Sequence, residues 1–321
     1  MRNIDWEAIE INWGGEKLEV PHIVKDLYEN DIVSYPSAKE LFTAFKKCKF
    51  NKVRVVIIGQ DPYPGKGEAD GMAFSMKRLK KKNNPKNSIE HYIIPRLKNV
   101  YQEGKYSDDC GDLSNWAKQG VLLLNSALSY VVPLGVIEEE KEKAEKELNR
   151  VIEKLDKSEK KKLKQKEALK KSNKQTIRYQ EAKRKDDDAN KEIRRFKKII
   201  KEKKDVIDDL EKKIKQYKLP FAQIEGNPWE KLISKVLVKI NEISDRKICF
   251  LLWGGDAVKI FNNAVEKPNH IVLTCAHPSP KAEGANFPFS ENHHFTTVNM
   301  IQKLQKKREI NWSIPRPKEK K

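Results

Sequence analysis

The sequence predicts an α/β fold: a central, mostly parallel four-stranded sheet with helices on both faces, interrupted by an inserted antiparallel helical hairpin. Three observations carry that expectation. Four short apolar runs, VVIIG (55–59), GVLLLN (120–125), ICFLLWG (248–254) and HIVLTCAH (270–277), have the length and aliphatic content of strands covered on both faces. Stretches of helical character separate them, and strands alternating with helices favour parallel pairing. Between the second and third runs the composition changes abruptly, and residues 138–218 become densely charged.

Taken in order, the first run carries the most information. Val55, Val56, Ile57 and Ile58 suit a buried strand, but the residues after them do not continue it. Gly59 permits unusual backbone angles or a close approach, and Pro62 and Pro64 fix two φ values and remove two donors. This stiffness holds Asp61 and Tyr63 at the carboxyl end of a strand, where open α/β sheets place their ligands. An ordinary strand-to-loop exit is the plainer reading of that stretch alone. Helices are expected at 38–46, 94–102, 113–118, 229–242 and 256–262. Neither flank of the charged segment supplies enough strands by itself, so 1–137 and 219–321 are expected to pack as one discontinuous domain around the insertion.

Within 138–218 there are 30 Lys or Arg against 20 Asp or Glu, a net +10, and no Gly, Pro, Trp or Cys. Apolar residues recur at steps of three and four: Ala144, Leu148, Val151 and Leu155, then Ala189, Ile193, Phe196, Ile200, Ile207, Leu210, Ile214 and Tyr217. That is a coiled-coil seam. The polar stretch Ser172, Asn173, Lys174 near the middle marks a reversal, giving two antiparallel helices of about 35 residues, on the order of 50 Å long. A single long helix that dimerises is the alternative.

The 321 residues have a formal net charge of +19, which points to a polyanionic partner, most simply nucleic acid. Part of that charge also belongs to a solvated helical arm. No apolar run reaches the roughly 18 residues a membrane helix needs, so no membrane partner is expected. The start, MRNIDWEAIEINW, is too acidic and polar for a signal peptide. Cys48, Cys110, Cys249 and Cys275 are scattered without a C-x-x-C pair, as in reduced thiols of an intracellular protein. A cytoplasmic location follows, at the nucleoid in a bacterium, or a nuclear or viral-factory location otherwise. Nothing in the sequence suggests a metal or cofactor ligand cluster.

Each strand run ends in residues that carry chemistry. The first delivers Gln60, Asp61 and Tyr63, the second Asn125, the third Gly254 and Gly255, and the fourth His277, Pro278, Ser279 and Pro280. A carboxylate, a carboxamide, an imidazole and an aromatic ring converging on one sheet edge form a pocket suited to a planar heterocycle. Singly, Asp61 could cap a helix, Asn125 could satisfy a loop and His277 could be structural.

The stretches GQDPYPGKGEADGMAFS (59–75), WAKQGVLLLN (116–125), FLLWGGDA (250–257) and AHPSP (276–280) resemble, in order, the signature stretches of family 1 uracil-DNA glycosylases. Flanking pieces such as LFTAFKKCKFNKVRVV, NPWEKLISKVL, HHFTTVN and INW agree. The resemblance covers nearly all of 20–137 and 222–315 but not the charged segment. It implies excision of uracil from single- and double-stranded DNA, without a cofactor, by an enzyme that rotates the nucleotide out of the stack.

By that resemblance, Asp61 is the water-orienting carboxylate that stabilises oxocarbenium character on the sugar. His277 donates to uracil O2 as a neutral imidazole. Asn125 reads the base, its NH₂ donating to O4 and its carbonyl accepting from N3–H. Cytosine reverses both, at about 1–3 kcal/mol for each unpaired group. Phe74 stacks on the base, Tyr63 blocks the thymine methyl, and Gln60 forms part of the pocket wall. Pro62, Ser88, Gly254, Gly255 and Ser279 fall in the family's DNA-contact loops.

The sequence departs from the family at several points. Pro64 stands where many members have His, and Gly255 where a Ser is usual. The Pro/Ser phosphate loop is placed at 85–88 only by its distance from the first motif. After HPSP the usual wedge Leu is Lys281, and 281–295 is about two residues longer than is common. Lys281 is therefore expected on backbone phosphate, with Phe287 or Phe289 entering the duplex; the alternative puts both rings in the core. The arm could bind more DNA, a protein, or a second copy of the chain. Two other functions remain open: a glycosylase for a modified pyrimidine in phage or viral DNA, and a non-catalytic DNA-binding or assembly factor acting through the arm.

Overall fold

The computed structural model describes residues 3–30, 32, 34–76, 87–102, 104–106, 110–170, 177–217, 226–282 and 284–315. The chain begins with a short hairpin, β1 (Ile11–Trp13) and β2 (Glu16–Leu18), then α1 (His22–Glu29), β3 (Ser34–Tyr35), α2 (Thr43–Lys47) and β4 (Val55–Gly59). A π-helical turn at Ile89–Ile93 runs into α3 (Ile94–Val100), followed by α4 (Ser114–Lys118), β5 (Val121–Asn125) and β6 (Tyr130–Val131). Two long helices, α5 (Leu134–Lys170) and α6 (Ile177–Tyr217), precede α7 (Glu230–Asn241), β7 (Cys249–Trp253), α8 (Gly255–Ala264), β8 (Ile271–Cys275) and α9 (His294–Leu304).

The four apolar runs form one sheet in the order β5-β4-β7-β8, and every pairing in it is parallel. Parallel pairing needs a crossover between successive strands, and the intervening helices supply it. Every carboxyl end therefore lies on one edge, with Gly59 opposite Asn125 and Trp253 opposite Cys275. The burial of β7 shows why helices are needed on both faces. Phe250 packs on Phe261 of α8 at 4.8 Å, while Trp253, three residues on and hence on the other face, meets Phe295 of α9 at 6.0 Å. Phe295 in turn joins Trp116 and Trp312 in an aromatic cluster with edge-to-face geometry.

Sequence periodicity missed the pieces that close these layers: α1, α9, the β1–β2 hairpin and the two-residue β3–β6 ladder. The stretch at 38–46 is split into a 3-10 turn at Ala38–Glu40 and the short α2.

Contacts divide the chain into two compact units, Met1–Val131 with Ile224–Lys321, and Val132–Gln223. The second unit is α5 and α6. Lys141 pairs with Glu211 at 3.0 Å and Lys197 with Glu159 at 3.4 Å, so partners rise along one helix as they fall along the other. That is antiparallel packing. Ala189, Ile193, Ile207 and Leu210 lie buried in the seam.

Candidate active site

The carboxyl edge of the sheet holds a pocket of about 130 Å³ whose walls include Asp61, Tyr63, Phe74, Ser88, Asn125 and His277. Gly59 makes room for it. A Cβ there would lie 2.5 Å from Asn125 Oδ1 and 3.0 Å from the Ala73 methyl, so the last residue of β4 must be glycine for Asn125 to sit beside it. The next turn is tied back by Ser126, whose hydroxyl donates to the Gln60 carbonyl at 2.6 Å and whose amide donates to Gly59 at 2.9 Å. Gln60 and Pro62 also line the pocket.

Asn125 is 6% exposed, and among the described residues its side-chain amide makes no hydrogen bond. Buried amides are normally satisfied, so one left with a free donor and a free acceptor at a cavity wall is arranged for a ligand. Beside it, Phe74 adopts φ +61°, a left-handed conformation that costs a non-glycine residue about 1–3 kcal/mol. That backbone turn presents the ring between Trp253 at 5.1 Å and His277 at 5.9 Å. The Tyr63 hydroxyl donates to the Phe74 carbonyl at 3.4 Å, joining the two loops of the wall.

His277 follows β8 and packs against Gly254. A Cβ on Gly254 would fall 2.9 Å from that of His277, and φ at Gly254 is +95°, so glycine is required twice over. Burial lowers the His277 pKa, opposed by the Asp256 carboxylate, and so favours the neutral ring. Asp61 sits at the open mouth, yet desolvation by the pocket walls raises its pKa, and Asp256 adds to the effect. The site thus pairs a carboxylate with a neutral imidazole across a cavity flanked by an aromatic ring and a free amide.

The remaining predicted positions lie outside the pocket lining. Gly254 and Gly255 open α8, and Ser279 and Lys281 follow β8, with Lys281 exposed in a 3-10 turn. Phe287 is 78% exposed, and its carbonyl accepts from the Ala276 amide at 2.8 Å, which fixes its backbone next to the residue preceding His277. Phe289 corrects the expectation that placed either phenylalanine in the duplex. It is 3% exposed and packs edge-on against Trp253 at 4.9 Å, and withdrawing it would open the core. The stretch 85–86 of the expected phosphate loop lies outside the described residues; Ser88 is in the pocket wall.

Several supporting residues went unassigned in the sequence reading. Asp70, 4% exposed, accepts from the Ser75 hydroxyl at 2.7 Å and the Met72 amide at 3.2 Å, bracing the turn that carries Phe74; burial pushes its pKa up to about 6. Asn227 donates to the Ser126 carbonyl at 2.8 Å and accepts from the Trp229 amide at 3.0 Å, locking the β5 exit to the start of α7. Both stand inside motifs quoted above, ADGMAFS and NPWEK, but their role depends on contacts that periodicity does not reveal. Among the described residues, no cluster of three or more His, Cys, Asp or Glu side chains is arranged to hold a metal. A larger groove of about 480 Å³ runs between the β1–β2 hairpin and α7, but none of the strand-end residues reaches it.

No family model matches the chain. Curated proteins do. A uracil-DNA glycosylase 1 of Listeria monocytogenes is 25% identical over 302 residues, covering 92% of this chain and 90% of the relative. A uracil-DNA glycosylase of Haemophilus influenzae is 27% identical over 318 residues, covering 94% and 99%. That of human herpesvirus 6A is 26% identical over 310 residues, covering 93% and 82%. Among solved structures, the mimivirus uracil-DNA glycosylase superposes with a TM-score of 0.53 at 19% identity, over 91% of this chain and 79% of that one, and shares its fold. Over nearly its whole length the chain is thus similar to uracil-DNA glycosylases of bacteria and of a herpesvirus, in agreement with the ordered strand-end motifs.

Proposed function

We propose that the protein excises uracil from DNA by hydrolysing the N-glycosidic bond, leaving an abasic site. The buried, unpartnered amide of Asn125 beside the Phe74 ring is the observation that supports this most directly. Uracil offers O4 to the amide NH₂ and N3–H to its carbonyl, whereas cytosine offers the reverse pattern and leaves both groups unpaired. The target bond is inaccessible within a stacked duplex, so the nucleotide is rotated into the pocket.

As the C1′–N1 bond breaks, its electron pair leaves with the base and positive charge grows on the sugar. Asp61 stabilises that charge and orients the water that adds to C1′. His277, neutral because burial disfavours its imidazolium, donates to O2 of the departing uracil anion. Tyr63 fills the space that a C5 methyl would need. Outside the pocket, Gly254, Gly255, Ser279 and Lys281 are assigned to backbone phosphates and Phe287 to the gap left in the stack. Both single- and double-stranded DNA serve as substrates.

The test is single-turnover cleavage of uracil oligonucleotides followed by abasic-site scission, with cytosine, thymine and modified pyrimidines as controls. Asp61→Asn and His277→Ala are each expected to slow uracil release by about 10² or more while leaving DNA affinity near wild type. Wild-type rates in either variant remove that residue from the mechanism.

A further inference from the structure

The charge on the helical unit is not spread along it. Residues 154–198, the outer half of the hairpin, carry 19 Lys or Arg against 8 Asp or Glu, a net +11. The inner segments, 138–153 and 199–218 together, carry 11 against 12, a net −1. The hairpin is nearly neutral over one half and strongly basic over the other.

The way the charges are used differs as well. In the inner half four lysines are neutralised locally: Lys141 by Glu145 and Glu211, Lys146 by Glu142, Lys203 by Glu147 and Lys213 by Asp209. Among the described residues the outer half holds one internal ion pair, Lys197 with Glu159, and Lys198 reaches back to Glu202. Most of the other described outer cations face solvent. Both helices contribute to one shallow depression of about 460 Å³, where Lys161, Lys185, Lys191 and Arg195 gather around Gln165. Of the two carboxylates at its rim, Glu192 already accepts from the Ser158 hydroxyl at 3.3 Å. A solubilising helix has no need to segregate its charge in this way, and unpaired like charges on adjacent helices destabilise the packing. A polyanion laid across both helices removes that penalty.

We infer that the outer half of the hairpin is a second, sequence-independent binding surface for the DNA backbone, separate from the uracil pocket. The inference rests on DNA being the substrate of the pocket. In this half 17 residues of α5 and 22 of α6, at roughly 1.5 Å per residue, offer a basic strip several phosphates long, and each phosphate neutralised releases condensed counterions. Bound there, the enzyme stays on a duplex between uracils.

The experiment uses the full chain. Lys161, Lys185, Lys191 and Arg195 are replaced together by Gln, a good helix former at exposed positions, and a control neutralises Lys143, Arg150, Lys201 and Lys204 of the inner half. Binding to a 30-base-pair duplex without uracil is measured against salt, and single-turnover excision is measured on a 12-nucleotide uracil strand. The outer variant is expected to bind the duplex about tenfold or more weakly at 0.15 M salt, with a log–log salt slope shallower by up to about 3.6, at about 0.9 for each of the four lost contacts. Its excision from the short strand should match wild type, and the inner variant should stay within about twofold of wild type throughout. A set that exchanges Lys and Arg at the four outer positions keeps the charge and should bind normally.

Wild-type affinity and slope in the outer variant overturn the proposal, as does an equal loss in the inner variant, which would mean that only total charge matters. Duplex binding that depends on the outer cations in a protein that releases no uracil would instead overturn the reading of the pocket.

Discussion

Replacing Gly59 by Ala isolates the coupling between a strand end and base recognition. Only one methyl is added, at a residue without positive φ, so backbone strain does not enter. The new Cβ would lie 2.5 Å from Asn125 Oδ1, where a carbon–oxygen contact settles at about 3.3 Å or more. The amide must withdraw by roughly 0.8 Å, because Ala73 at 3.0 Å and the Phe74 ring at 3.4 Å block the methyl from moving the other way. A misplacement of about 1 Å in a reacting constellation costs on the order of 10²-fold in rate. Overpacking a buried strand end adds about 1–3 kcal/mol of instability, worth about 2–4 °C in Tm per kcal/mol for a unit of this size. Single-turnover excision and thermal melts of Gly59→Ala, Asn125→Ala and the double variant form the assay. The double variant should regain most of the lost stability, since the clash partner is gone, but none of the activity. Full activity in Gly59→Ala with an unchanged melt would show that Asn125 does not need its present position, and the account of recognition would fail.

Tyr63→Ala should gain weak thymine excision as its uracil rate falls; continued absolute rejection of thymine would mean another group guards C5. Phe287→Ala should impair excision from duplex far more than from single strands, because filling the vacated stack offsets an unstacking cost of a few kcal/mol. A duplex-selective defect in Lys281→Ala with none in Phe287→Ala assigns the wedge to the lysine. His294 is 7% exposed, its Nδ1 accepts from Trp253 Nε1 at 3.1 Å, and burial lowers its pKa from 6.5 to about 4. Protons therefore bind the unfolded chain first, so its contribution is present above pH 6.5 and disappears as pH falls towards 4, about 3 kcal/mol in all. His294→Gln should flatten the stability–pH curve across that window, and an unchanged curve in denaturant melts would refute the assignment.

The sequence by itself determined the strands, their alternation with helices and the paired helical seam, because these depend on local periodicity and length. It also placed Asp61, Asn125 and His277 at strand exits, since Gly and Pro mark where a buried run must stop. Tertiary structure alone decided what depends on distant groups meeting. A fully parallel sheet in the order β5-β4-β7-β8 is what brings Asn125 opposite Gly59, and nothing in either run specifies its neighbour. The positive φ of Phe74 is upheld by Asp70, Ser75 and Tyr63, contacts invisible to a pattern of apolar spacing. The two phenylalanines of FPF are equivalent by composition, and they separated only because Trp253 offers one of them a surface to pack on. α9 escaped notice because the HHFTTVN face that it buries is largely polar; Asn299 there donates to the Ile310 carbonyl and accepts from its amide, so its burial rests on hydrogen bonds to a segment eleven residues away and not on apolar periodicity.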